Sequence, residues 1–325
     1  MKRILFTALV AVACAPAALT THARPLQRAD VTGSPAWLVH IDWDTLRTTS
    51  IGQFIQGEMN KPEAQAKLAA FQAVVSIDLR TQLHGTTLYG TGSKPEDAVV
   101  LIYAEFDPER LVTLARAAKD SQNTTYKTHT IYNWIDEKKH KSANGTRPRV
   151  YAAIAGSRVV LGQREDRVAH ALDVLDGASP NLASGTAFPQ FGGAADTSFI
   201  EAAARKFDLP DSDPNAAIRR LSKQVSLQVG QVQQQISATL TLEGNDEEVA
   251  THINSIAQGL ISLMKLQKDK PEATKFAEAL SIKQNGSQVV VSLNLGGNDA
   301  VELIKADAAR KAAAKARREA EAEAK

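Results

Sequence analysis

Runs of β-branched residues alternate along this chain with amphipathic segments, and one kind of junction joins them five times. Trp37 to Phe54, Val99 to Ala118, Val159 to Leu175, Ile236 to Leu260 and Val289 to Ile304 each open on an apolar run, turn through polar residues and continue with apolar positions three and four apart. That pattern predicts a strand followed by a helix. Asp44, Asp107, Glu165 and Asn245 stand at four of the turns, where the unpartnered N–H groups and the positive end of a helix favour a side-chain oxygen. Asp107-Pro108-Glu109 is the clearest of them, because proline's fixed φ suits the first helical position. Leu111, Leu114 and Ala115 line one predicted helix stripe, and Val168, Leu172 and Leu175 another.

Other segments alternate with period two, namely Thr86 to Tyr89, Thr128 to Ile135, Val150 to Ala155 and Val225 to Val229. Short turns separate neighbouring strand runs at Ala155-Gly156-Ser157, at Gly230 to Gln233 and at Asn285-Gly286, the last being the strongest hairpin signal in the chain. Hairpins imply antiparallel pairing, and strand-to-helix steps imply helices laid on a sheet. The fold class is therefore α+β, with antiparallel sheet and helices packed on one face; two related ferredoxin-like halves fit the repetition.

The organisation read from composition has five parts: a signal peptide over 1–23, a first α+β half over 24–178, a linker over 179–193, a second half over 194–305, and a charged Ala-rich tail over 306–325, helical or disordered. Met1-Lys2-Arg3 followed by the apolar run Ile4 to Leu19 and by Thr20-Thr21-His22-Ala23 has the layout of an export signal cleaved after Ala23. The apolar run falls short of the roughly 20 residues a membrane-spanning helix needs, so no transmembrane segment is expected in the mature chain. Cys14, the single cysteine, lies inside this segment, and lipidation there is the alternative end point. Cleavage at Ala23 leaves no thiol for a disulfide, a nucleophile or a zinc site. The expected location is periplasmic or secreted.

Charge narrows the partners. The formal +2 of the whole chain is carried by Lys2 and Arg3, so the remainder is balanced and offers no field to attract nucleic acid. The basic residues Arg310, Lys311, Lys315, Arg317 and Arg318 of the tail are interleaved with acidic ones and read as a solvated helix end.

Catalytic signatures are weak. His40, Asp42 and Asp44 alternate along a predicted strand and share one face, opposite Trp37, Val39, Ile41 and Trp43. His40 and Asp42 are the catalytic candidates, though a half-buried strand shows the same alternation and Asp44 is already accounted for as a helix cap. His84, His129, His140, His170 and His252 have no zinc-hydrolase spacing, no GxSxG elbow is present, and Ser262 to Lys265 matches SxxK without its companion motifs. Gly90-Thr91-Gly92 and Gly192-Gly193 are too short to cradle phosphates. No metal and no cofactor is expected. Tyr126, Tyr132 and Trp134 are expected on one face with Tyr151 beside them, either a strip of rings for a ligand or simply core.

Asp78 to Gly90, Phe106 to Leu111, His129 to Trp134 and Val159 to Gly177 resemble an uncharacterised family of exported proteins from planctomycete- and verrucomicrobia-type bacteria, over about the first half of the mature chain. The resemblance implies bacterial export and a shared fold, and brings no activity, ligand or catalytic residue with it. The reading that follows is an exported bacterial protein of unknown function, a non-enzymatic envelope protein that binds another protein or an envelope polymer. A hydrolase assembling acid and base residues from distant segments is one alternative, and a structural or chaperone-like envelope component another.

Overall fold

The computed structural model describes residues 25–137, 147–192, 197–205, 222–267 and 271–323. The expected signal peptide, Cys14, His140 and the proline-rich stretch 208–215 lie outside them.

All five predicted strand-to-helix units form. They are β1 (Trp37–Asp42) with α1 (Trp43–Thr48) and α2 (Ser50–Met59), β3 (Ala98–Ala104) with α4 (Pro108–Ala117), β7 (Arg158–Gly162) with α5 (Glu165–Leu175), β10 (Gln235–Gly244) with α6 (Glu247–Lys265), and β12 (Gln288–Gly296) with α8 (Gly297–Glu323). The remaining elements are α3 (Pro62–Val75), β2 (Leu83–Gly90), β4 (Gln122–Tyr126), β5 (His129–Ile135), β6 (Arg149–Ala155), β8 (Ser198–Ala204), β9 (Ser222–Val232), α7 (Pro271–Glu278) and β11 (Leu280–Asn285). Asp107 caps α4 as expected, accepting from the N–H groups of Glu109 and Arg110. The other caps shift: Asp42 rather than Asp44 caps α1, Asp246 rather than Asn245 caps α6, and Arg164 precedes α5 with no side-chain bond. The cap is the last residue still extended, and at β1 that is Asp42, with φ −87° and ψ 98°.

The expected hairpins close in two-residue turns, with Ala155 opposite Arg158 and Asn285 opposite Gln288. Gly156 and Gly286 take φ of +60° and +56° there, a region costly for residues with a Cβ.

One twelve-stranded antiparallel sheet results, in the order β11-β12-β10-β9-β8-β1-β2-β3-β7-β6-β5-β4. Its halves meet at the β1–β8 pair and mirror each other in strand order, β1-β2-β3-β7-β6 on one side and β8-β9-β10-β12-β11 on the other. In the first half the chain leaves β3, crosses the sheet as α4, enters at the outer edge as β4 and meanders back until β7 pairs with β3. In the second it leaves β10, crosses as α6 and α7, enters as β11 and returns as β12 beside β10. These are split β-α-β crossovers, the element expected of ferredoxin-like halves. The stretch expected as a linker is instead core: Leu182, Ala187, Phe188 and Phe191 are buried, and the Arg28 guanidinium donates to four of its carbonyls.

Directly paired residues share a face, so cross-strand partners trace rows over the sheet. One row runs Ile282, Val291, Leu240, Leu227, Ala202, Val39, Leu88, Val100, Leu161, Ala152, Tyr132, without a polar residue across eleven strands. On the other face the corresponding row begins Ser281, Ser292, Thr239, Gln228, Glu201, His40, Thr87 and turns apolar at Leu101, Val160 and Ala153. That second face is covered only over the first half, where α5, the segment 25–36 and the stretch around Phe188 seal the main core with Leu38, Tyr89, Leu101 and Val160. The remaining helices with sheet contacts lie over the continuous apolar face. The expectation of helices on one face therefore holds except for α5, since the crossover of α4 already occupies the first half of that face.

Candidate functional site

Helices α4 and α5 come from the same kind of unit and sit on the sheet in different ways. Val168, Ala171 and Leu172 of α5 are 0% exposed, seated against β3, β6 and β7. No residue of α4 is buried, although its stripe of Leu111, Leu114 and Ala115 faces the sheet. To reach β4 from β3 the chain must pass over three strands, about 19 Å at the usual strand spacing, so α4 spans the sheet as a bridge.

It is held by its ends. Asp107 and Pro108 fix the start. The backbone N–H of Ile135 donates to the Lys119 carbonyl at 3.1 Å just beyond the finish. Arg110 Nε donates to the Val74 carbonyl at 2.9 Å and Nη2 to that of Ala73 at 3.2 Å, tying α4 to the end of α3.

Beneath the bridge is a cavity of about 320 Å³, lined by Val75, by Leu111, Val112, Leu114, Ala115 and Ala118 around α4, and by Tyr132, Trp134, Ala152, Ala153, Ile154, Val159 and Leu161 of the sheet. The lining carries two polar side-chain atoms, the Tyr132 hydroxyl and the Trp134 indole nitrogen. A space walled in this way is unfavourable for water, which needs two to four polar partners, and suits hydrocarbon. Tyr132 and Trp134 face this cavity, whereas Tyr126 and Tyr151 pack on the main core of the other face, with Tyr126 Oη donating to Asp173 at 2.9 Å. The expected single strip of rings is thus divided by the sheet, because pairing of Tyr126 with His129 sets it on the Ile131 side.

The catalytic candidates lie elsewhere. His40 is 1% exposed, with Nδ1 2.9 Å from the Thr87 hydroxyl, and Asp42 is 2% exposed, accepting from the Thr45 N–H at 2.9 Å and the Thr45 hydroxyl at 2.7 Å. Both are on the face opposite the cavity and present no surface to a substrate. Asp44 does not join them. It stands on the first turn of α1, paired with Arg47 and with His84 Nδ1 at 2.9 Å, while His84 Nε2 is 3.4 Å from Glu105. Among the described residues no group of three or more His, Cys, Asp and Glu is placed to hold a metal ion.

A buried ionic group anchors the N-terminal segment. Arg158 is bidentate to Asp30 at 2.7 and 2.9 Å, and the Tyr103 hydroxyl donates to the same carboxylate at 2.9 Å. Burial, reinforced by the Asp30 charge, pushes the phenols of Tyr89 and Tyr103 well above the usual range.

The α4 stripe is legible in the sequence, and so is the apolar alternation of β5, β6 and β7. That the two face each other across a space depends on the crossover, which no local pattern announces. Among the described residues no helix is long and apolar enough to cross a membrane.

No family model and no curated protein matches the chain. Among solved structures it is similar to crystal form III of TP0453, with TM-score 0.47, 11% identity, and 87% of this chain and 98% of that chain covered. Crystal forms I and IV give TM-scores of 0.44 and 0.45, each at 10% identity, covering 86% and 87% of this chain and 96% of those chains. The likeness is distant, and nothing about the ligand rests on it.

Proposed function

We propose that this chain is an exported, non-enzymatic binding protein whose ligand is the acyl chain of a lipid, held between α4 and the sheet. The observation that carries the reading is the contrast between the two helices: α5 buries its apolar stripe, while α4 holds an equally apolar stripe over a space walled by hydrocarbon. An amphipathic helix fixed at its ends above an apolar floor leaves surface whose burial is worth about 25 cal/mol per Å², and an apolar ligand supplies that burial. The basic start of the chain, its apolar run and the small residues up to Ala23 support export. The ligand is a small amphiphile here rather than the protein or envelope polymer that composition suggested, because the walls offer hydrocarbon and lack the donors and acceptors that those partners need.

Titration of the folded protein with cis-parinaric acid, a fluorescent fatty acid, tests this. Saturable fluorescence enhancement, displaced by palmitate and weakened by Ala115→Leu, is expected; absence of saturable binding would remove the proposal.

A further inference from the structure

The cavity under α4 is one end of a longer apolar floor. The unbroken row from Ile282 to Tyr132 crosses eleven strands, which at about 4.8 Å per strand makes it roughly 48 Å wide. In the second half the helices touch this face along two margins. Ala250 and Ile253 of α6 pack on Val289 and Leu242, while Ala300 of α8 and Leu46 of α1 pack with Ile236 and Leu295. Leu227, Leu240 and Val291 lie between those margins, directly paired with one another, members of neither cluster and only half-buried.

The chemistry of the floor selects its occupant. The strands here are interior to the sheet and their backbone is already paired, so a peptide laid on the floor would bury amides without partners at about 1–3 kcal/mol each. Hydrocarbon has no such groups to satisfy. A single acyl chain reaches about 15 Å, half of the roughly 30 Å hydrocarbon core of a bilayer, so the floor is about three chains wide.

We propose that the floor holds more than one acyl chain at once, making the ligand a lipid with two or three chains whose polar head stays in solvent. This rests on the reading of the α4 cavity as an acyl site. The tryptophans report on different parts of the face. Trp134 lines the cavity, whereas the Trp43 indole donates to Thr86 on the same face, four strands away from β5.

Native mass spectrometry of the folded protein with palmitate, and separately with dipalmitoyl phosphatidylglycerol, tests the proposal. Two or more palmitates, or one phosphatidylglycerol, are expected per chain, with Leu240→Asp losing one palmitate and keeping the one under α4. A single palmitate that Ala115→Leu abolishes would overturn the extended floor and leave the cavity reading intact. No bound palmitate under any condition would overturn both. A second measurement does not depend on the folding of Leu240→Asp. In Trp134→Phe, dibromostearate should still quench the remaining tryptophan fluorescence, and a complete loss of quenching would confine the ligand to the cavity and refute the proposal.

Discussion

Ala115 on α4 and Ala171 on α5 both face the sheet, and replacing each with leucine should move stability in opposite directions. Leucine adds three carbons, worth roughly 0.8 kcal/mol each when fully buried. Under α4 they enter the cavity of about 320 Å³, and since Ala115 is only half-buried we expect about 1 kcal/mol of stabilisation from a ceiling near 2.4. Ala171 is 0% exposed in the main core, where the same carbons have no space and the expected cost is about 1–3 kcal/mol from displaced neighbours. The slightly lower helix propensity of leucine applies to both and cancels in the comparison. Urea unfolding followed by circular dichroism and by tryptophan fluorescence gives both values, provided the denaturant slope is unchanged. Palmitate affinity should fall in Ala115→Leu and stay the same in Ala171→Leu. If Ala115→Leu destabilises as much as Ala171→Leu, α4 is seated as tightly as α5 and the argument for a ligand space fails.

Asp42→Ala removes a buried cap from α1 and should cost about 1–2 kcal/mol in urea unfolding while leaving palmitate binding unchanged, since Asp42 faces away from the cavity; binding lost at unchanged stability would return Asp42 to a functional role. Alkali should unfold the protein through Tyr89 and Tyr103, whose phenols are raised by burial in the folded state above the ordinary value of 10.0. Their contribution is complete below that value and falls as pH rises through it, by about 1.4 kcal/mol per pH unit for each residue, because only the unfolded chain can ionise. Absorbance at the tyrosinate band should show these two of the five tyrosines titrating only as the protein unfolds, and their early titration in the folded state would contradict the burial.

Much of the architecture is carried by local pattern. The five strand-to-helix units, the hairpins at Gly156 and Gly286 and the cap at Asp107 each follow from spacing and turn chemistry within a few residues. Elements with no such pattern escape it. Helix α3 has no buried residue and hence no apolar stripe, and β4 is a polar edge strand, Gln-Asn-Thr-Thr-Tyr, exposed over its first four residues. The stretch around Phe188 carries the serine, proline and glycine of a linker, yet it is held as core by Arg28 and by rings that find the sheet only in three dimensions.

The chain by itself determined that apolar residues alternate along each strand and stripe each helix, since backbone geometry turns a period of two or of 3.6 into a face. Which faces meet was decided by the tertiary structure. Leu114 and Leu172 belong to stripes of the same kind, but α5 settles onto the sheet beside the strand it leaves, while α4 must bridge three strands to reach the edge. The same alternation that buries His40 and Asp42 under the core sets Val39, Leu88 and Leu161 along an open apolar floor, because each face takes its environment from whatever the connections lay across it.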